Sequence, residues 1–496
     1  MTKRLPATAS FEELLAQRLT RRRLLQSGAA LAPLALTGCG LLGSRSAHAD
    51  AESGLTFKAI AGSAADAVIL PPGYTYDLLI RWGESLSSAT PDLDASRLAD
   101  GVLFEARAAE HQRNQFGQNC DAIHFFPLDA RGDRGILCVN NEYTDDALMF
   151  PGHPGFVGAV RGEGRGYVRE HPGLVAVAQA AQGVAVVEVV RERGRWRFLK
   201  DSRFNRRITA NTPVDISGPA RGAALMRTKQ DPDGVLALGT MGNCAGGRTP
   251  WGTYLTAEEN IQDYFGNFAD LRGRRDIDPF TTESHRRWRM WNTHSLYSWE
   301  VADPRFDLPQ NPTEPFRFGW IVEIDPLDPS RAPVKRTALG RFAHEGASPV
   351  VAHDGRVAVY MGDDDKFEHV YKFVSEGRFN AKNAAANRDL LDHGALFVAR
   401  FDASGRGQWL PLTYDPKGPL NAAAGFHDQG EVLIKARAAA TLLGATPMDR
   451  PEDVEANPVT GRIYVACTRN EQRTASSNKG TYAGRDLDTG PNAANP

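Results

Sequence analysis

The chain has 496 residues, with 58 Lys and Arg against 60 Asp and Glu, and a formal net charge of −2. So balanced a charge leaves no basic footprint, which excludes nucleic acid as the expected partner. Its 48 glycines and 30 prolines argue for many turns and against a fold of long helices.

Residues 1–49 read as a targeting segment and residues 50–496 as a single domain. Thr20-Arg21-Arg22-Arg23-Leu24-Leu25-Gln26 fits a twin-arginine (Tat) export signal. The plain alternative is an arginine-rich amphipathic start. The apolar stretch from Gly28 to Leu42 is short and proline-broken, too weak to span a membrane. Two processing sites compete behind it. Leu36-Thr37-Gly38-Cys39 reads as a lipobox that would make Cys39 a lipid anchor, and Ala47-His48-Ala49 reads as an ordinary cleavage site before Asp50. The destination expected is the periplasm or the exterior, with a Cys39-anchored lipoprotein as the alternative. The Tat route carries folded proteins, which suits a protein that loads metal before export.

Beyond Cys39 the cysteines are Cys120, Cys138, Cys244 and Cys467, an even count that permits disulfides in an exported chain. Cys138 and Cys467 sit inside strand-like runs and are expected as buried thiols.

From residue 55 the chain repeats short apolar strands and turns: Tyr76–Trp82, Ala122–Phe126, Arg134–Val139, Val184–Val190, Trp320–Ile324, Val357–Met361, Val370–Val374, Gly394–Phe401 and Arg462–Val465. Arg193-Gly194 is a hairpin signal. The pattern predicts an all-β fold, a sandwich, barrel or propeller, with no strict repeat period to separate these. Residues 261–315 read as a polar, basic excursion between strands. A helix is predicted near Glu431 to Leu443, closed by Gly444.

The chemistry concentrates at strand ends. Asn243-Cys244-Ala245-Gly246-Gly247-Arg248-Thr249-Pro250-Trp251-Gly252-Thr253-Tyr254-Leu255-Thr256-Ala257-Glu258-Glu259-Asn260 puts a thiol in a glycine-flanked loop and delivers a carboxylate pair at the end of the following strand. Thiolate with carboxylates is a mixed metal-site composition, since sulfur suits softer or transition metals and carboxylate suits calcium, magnesium or ferric iron. The alternative is a buried structural cysteine with two solvated glutamates. Asn140-Asn141-Glu142-Tyr143-Thr144 ends a buried strand with a polar cluster, either a site or a plain turn. Phe342-Ala343-His344-Glu345-Gly346 places an acid beside a glycine. Asp363-Asp364-Asp365 crowds three acids behind a strand, an arrangement a calcium ion with about six to eight oxygen ligands would neutralise. Arg450-Pro451-Glu452-Asp453 offers a guanidinium fork for phosphate or, equally, a surface ion pair.

The long Asn243–Asn260 stretch resembles the signature of the PhoX family of bacterial alkaline phosphatases, with Ala257 where the family usually has cysteine. The Asn-x-Glu-Tyr-Thr, His-Glu-Gly, Gly-Asp-Asp and Arg-Pro-Glu stretches match the same pattern, so the resemblance spans residues 55 to 496. It implies a β-propeller of about six blades with its site at the central channel, and an exported phosphomonoesterase using a mixed ferric iron–calcium cluster. Cys244 would be the thiolate ligand to iron, and Glu259, with Glu258, Glu345 and Glu452, would be carboxylate ligands. Asp363, Asp364 and Asp365 would supply calcium oxygens, and Arg450 would hold the substrate phosphate; Cys244, Glu259 and Arg450 are the residues expected to carry catalysis. The implied partners are small phosphate esters and the Tat machinery. The sequence departs from the pattern at its end: Asp488 to Pro496 stops where members continue into further strands, so the propeller is expected to lack its last strands.

No Ser or Thr stands in a nucleophile context, which leaves attack to an oxygen activated by the cations. The competing readings are a calcium-dependent propeller hydrolase of lactones or phytate, which gives Cys244 no role, and a non-catalytic surface propeller.

Overall fold

The computed structural model describes residues 57–470 except 403 and 405, residues 472 and 473, and the short strands 479–482 and 485–488. The targeting segment and the last residues of the chain lie outside these. The chain divides into two units, Met1–Tyr76 and Asp77–Pro496. The described residues of the first, 57–76, contain no helix or strand.

The second unit is mostly sheet, in several antiparallel sheets of which none closes into a barrel among the described residues. The first holds β1 (Cys120–Pro127), β2 (Arg134–Asn141), β3 (Gly183–Glu192), β4 (Arg195–Phe198) and β5 (Arg206–Ile208), with β2 and β3 central. Residues Gly183 to Val189 are buried on both faces, which is why their run lacks alternation. Glu188 inside that run is tolerated because it pairs with Arg134 and Ser202. The β3–β4 turn places Arg193 and Gly194 at φ 50° and 81°, the left-handed pair that a two-residue hairpin needs.

The second sheet runs β7 (Leu236–Leu238), β6 (Pro213–Ser217), β11 (Val334–Arg336), β10 (Ile321–Ile324), β9 (Tyr254–Glu258), β8 (Asn243–Arg248). Its β6–β11 pairing is parallel. The third is a plain meander of β12 (Ser348–Val351), β13 (Arg356–Gly362), β14 (Val370–Arg378), β15 (Gly394–Phe401) and β16 (Gly407–Pro411). Two hairpins follow, β17 (Pro451–Ala456) with β18 (Ile463–Cys467) and β19 (Lys479–Tyr482) with β20 (Arg485–Asp488).

Several expectations need correction. Tyr76–Trp82 forms no strand, since no neighbouring backbone pairs with it among the described residues. The predicted helix is two, Gln429–Ile434 and Ala436–Leu442, and it is not alone. Short helices fill residues 146–181 between β2 and β3, ending in Gly173–Ala181. That last helix is apolar except for Gln179 and largely buried, so it carries little amphipathic period to betray it. The excursion 261–315 does run between two strands, β9 and β10, but it is not polar throughout. Its Tyr264, Phe265, Trp299 and Phe306 are almost fully buried and pack with the 146–181 helices in one core. Cys138 is buried, Cys467 is half-buried and Cys120 exposed, and these three and Cys244 are free thiols.

Candidate metal centre

Cys244 lies within β8 rather than in a loop, at a register shift between Asn243 and Gly246. A β-bulge of this kind turns one side chain away from the face its alternation dictates. Asn140, fully buried at the end of β2, fixes the bulge. Its amide donates to the Cys244 and Ala245 carbonyls at 2.6 and 3.0 Å, and its carbonyl accepts from the Tyr254 hydroxyl at 2.7 Å and Thr256 at 2.9 Å. Gly247 is required beside it, because a Cβ there would stand 1.7 Å from the Ala347 carbonyl oxygen. That close approach brings the Glu345 loop against β8.

Two further bulges do the same work. One in β1, between Cys120 and Ile123, holds Asp121. One in β17, between Pro451 and Val454, holds Glu452. Gly362 at the end of β13 admits that second bulge, since a Cβ would meet the Pro451 and Glu452 carbonyl oxygens at 2.2 and 2.3 Å. Glu142 and Glu259 follow directly on the ends of β2 and β9, and Asp364 is the second residue after the end of β13.

These elements bring together three overlapping groups: Asp121, Glu142 and Cys244; Cys244, Glu259 and Glu345; Glu345, Asp364 and Glu452. Within each, one ligand atom per residue lies within 4.8 Å of the others. The Cys244 thiol donates to Asp121 at 3.7 Å. Burial, then the charges of Glu259, Glu345, Glu142 and Asp121, push the thiol far up. Burial and the Glu345 and Asp364 charges push Glu259 well above the carboxylate range. Glu345 rises to about 9 through burial, Asp364 and Glu452, and Glu142 to about 7 through burial and Asp121. Buried Glu345 Oε2 and Asp364 Oδ1 find no hydrogen-bond donor among the described residues. A buried polar atom without a partner is costly, and a crowd of them with like charge fits residues that hold metal ions.

Arg450 arches over this group. It donates to Asp364 Oδ2 at 2.7 Å and lies 3.1 Å from Glu452 Oε1, with its side chain about 36% exposed. Its φ of 54° is uncommon for any residue other than glycine or asparagine. Such strain is kept where a side chain must be aimed.

Three expected ligands lie elsewhere. Glu258 points away from Cys244, into a fully buried pair with Lys335 at 2.5 Å, and accepts from the Gly319 and Trp320 amides at 3.0 and 3.1 Å. Asp363 is fully buried against the Arg437 guanidinium, and it also accepts from the Ala343 amide at 3.1 Å. Asp365 pairs with Arg289. The three-acid turn is therefore split, and Asp364 alone joins the cluster. Asp121 was not foreseen. Its bulge is a property of β1–β2 pairing and leaves no mark in the sequence.

The profile of the family described as alkaline phosphatase PhoX matches residues 55–493. Among solved structures, this chain is similar to Pseudomonas fluorescens PhoX in complex with vanadate, a transition state analogue, at 44% identity and a TM-score of 0.75. That match covers 86% of this chain and 70% of the other. No curated protein sequence matches. Signature, extent of match and a cluster built from the signature's own residues agree: the chain belongs to the PhoX family of alkaline phosphatases.

Proposed function

We propose that the cluster binds ferric iron and calcium together, and that with them the protein hydrolyses phosphate monoesters to inorganic phosphate. The observation that carries this reading is the convergence of one thiol and six carboxylates beneath a single strained arginine. The donor set fits the mixed cluster: Cys244 supplies the one soft ligand suited to iron, and the oxygens of Glu345, Asp364 and Glu452 suit calcium. When bound, such cations polarise phosphoryl oxygens and offset charge that develops on them. The chain supplies the rest. Arg450 stands at the exposed edge, where its guanidinium reaches the phosphate of an entering ester. Asn140 keeps the Cys244 sulfur aimed. The half-exposed Asp121 and Glu142 form the open flank. The vanadate in the related structure supports the same phosphoryl-transfer reading.

The sheets are read here as blades of a propeller of about six blades. Support comes from the cluster itself, which takes residues from ends or bulges of all three large sheets and of the β17–β18 hairpin, as a central channel would. The calcium-only hydrolase and scaffold readings leave a buried cysteine among carboxylates without a purpose.

The test is metal analysis with a p-nitrophenyl phosphate assay on purified protein, before and after chelation and calcium return. Turnover that disappears with chelation and returns with calcium is expected; turnover indifferent to chelation would defeat the metal reading. Export is proposed through the Tat route on the Arg21-Arg22-Arg23 run. Replacing all three with lysine should leave precursor in the cytoplasm by fractionation, and unchanged export would point to another route. Loss of acyl labelling on Cys39→Ala would identify a lipid anchor.

A further inference from the structure

Beside the cluster lies a cavity of about 280 Å³ that the phosphate chemistry does not use. Its walls are aromatic: Tyr143, Phe156 and Tyr297. Its polar side is made by Thr144, Asp146 and His153. The volume sits just under the range of small-molecule sites, about 300–1,000 Å³, and suits one ring system rather than a long chain.

The cavity and the cluster share their scaffold. Tyr143 follows Glu142, so the near wall begins one residue, about 4 Å of backbone, from a candidate ligand. Asn119, also in the lining, precedes the Asp121 bulge by two residues and accepts from the Glu142 amide at 3.0 Å through its carbonyl. Tyr297 feels both sites, its hydroxyl pushed up by burial and by the charges of Asp146 and Glu142 among others.

The polar side is built for a ligand with donors. Asp146 and Thr144 are buried, 6% and 3% exposed, yet Asp146 Oδ1 and Thr144 Oγ1 have no hydrogen-bond partner beyond each other among the described residues. His153 Nδ1 accepts from the Gly155 amide at 3.2 Å, which leaves the proton on Nε2, facing Asp146 Oδ2 at 4.0 Å. Burial holds this imidazole neutral, down to about 4, and raises Asp146 to about 7, so at alkaline pH the wall presents a carboxylate. Phe156 is 71% exposed at the lip, an apolar ring presented mostly to solvent.

Resting on the phosphatase reading, we propose that this cavity receives the leaving group of the ester, and that it selects a planar ring bearing N–H donors, a guanine-type nucleobase. The ring would lie between Tyr143, Phe156 and Tyr297 and give its N–H groups to Asp146. A buried acceptor that needs a donor rejects rings without one, because it is then left unpaired.

The test compares kcat/KM for guanosine monophosphate, glucose phosphate and glycerol phosphate in the metal-loaded protein, Phe156→Ser and Asp146→Asn. The native protein should favour the guanosine ester by about tenfold, the scale of one stacked base or one buried hydrogen bond. Phe156→Ser, at an exposed position, should remove most of that preference and leave glycerol phosphate turnover unchanged. Asp146→Asn should do the same where it folds. Guanosine itself, titrated by calorimetry, should bind the native protein and not Phe156→Ser. Equal turnover of the three esters, or preference for the sugar ester, overturns the pocket and leaves the phosphatase reading standing. No turnover of any ester defeats the phosphatase reading, and the guanosine titration then still decides the pocket.

Discussion

Glu258 and Glu259 are consecutive, as are Asp363 and Asp364, and each pair is divided between two environments. Glu258 and Asp363 are sealed against the Lys335 ammonium and the Arg437 guanidinium, with backbone amides completing their shells. Glu259 faces the Cys244 thiol and Glu345, and Asp364 faces Glu345 and Glu452 under Arg450. One member of each pair has a buried counter-charge to itself; of the others, Glu259 has no ion pair among the described residues and Asp364 shares the partly exposed Arg450 with Glu452. Strand alternation does the sorting: successive side chains leave the backbone on opposite sides, so a pair of acids at a strand end serves the core with one residue and the cluster with the other. The lesson is that acids alone do not mark a metal site; acids that outnumber the cations beside them do.

The comparison breaks most visibly in stability. Glu258→Gln leaves Lys335 buried and unpaired and should cost about 3–5 kcal/mol. Glu259→Gln removes one of several crowded like charges. It should leave the metal-free fold unharmed or firmer, while metal content and turnover fall. Denaturant unfolding of the two metal-free variants, with metal analysis of the loaded ones, makes the contrast. Equal destabilisation by both would erase the distinction between pair and cluster.

A smaller effect follows from pH. Glu345 sits near 9 when folded, and Glu259 is also raised, against an ordinary value of 4.5. Between about 4.5 and 9 the metal-free folded protein therefore binds more protons than the unfolded chain, and its stability falls as pH rises through that window. Cations that replace those protons reverse the trend. At a hundredfold excess over its dissociation constant a bound ion adds about 2.7 kcal/mol. Melting temperatures from pH 5 to pH 9 should decline for chelated protein, and the gap to calcium-loaded protein should widen. A gap that narrows with pH would mean the carboxylates are not the binding groups.

Much of this division was hidden from the sequence. The motifs name Cys244, Glu259, Glu345 and Glu452, and strand runs such as Val357–Met361 and Gly394–Phe401 are readable because β-branched and aromatic residues cluster there. They do not separate Glu258 from Glu259, because Lys335 lies 77 residues away in sequence. Arg437 is likewise 74 residues from Asp363. Nor do they reveal Asp121, whose aim depends on a bulge against β2. The buried helix Gly173–Ala181 and the aromatic residues between 264 and 306 escape because extensive burial leaves little amphipathic periodicity.

Arg450 offers the mildest perturbation. It spans the boundary between cluster and solvent, bonded to Asp364 and near Glu452. Arg450→Lys keeps the charge and loses the fork. Affinity for phosphate, read as its inhibition constant, should weaken about tenfold, equivalent to about 1.4 kcal/mol, with metal content and melting temperature unchanged. Loss of metal from this variant would make Arg450 a structural counter-charge like Arg437.

The central claim is that the cluster is a metal centre with Cys244 as its sulfur ligand. The direct measurement is the iron content and visible absorption of native and Cys244→Ser protein, side by side. A hydroxyl is a poor substitute for thiolate at iron. Native protein should carry iron and a thiolate–iron charge-transfer band, and Cys244→Ser should lose the band, most of the iron and most turnover while melting as a folded protein. Full iron and full activity in Cys244→Ser would contradict the account, returning Cys244 to the status of a packed thiol.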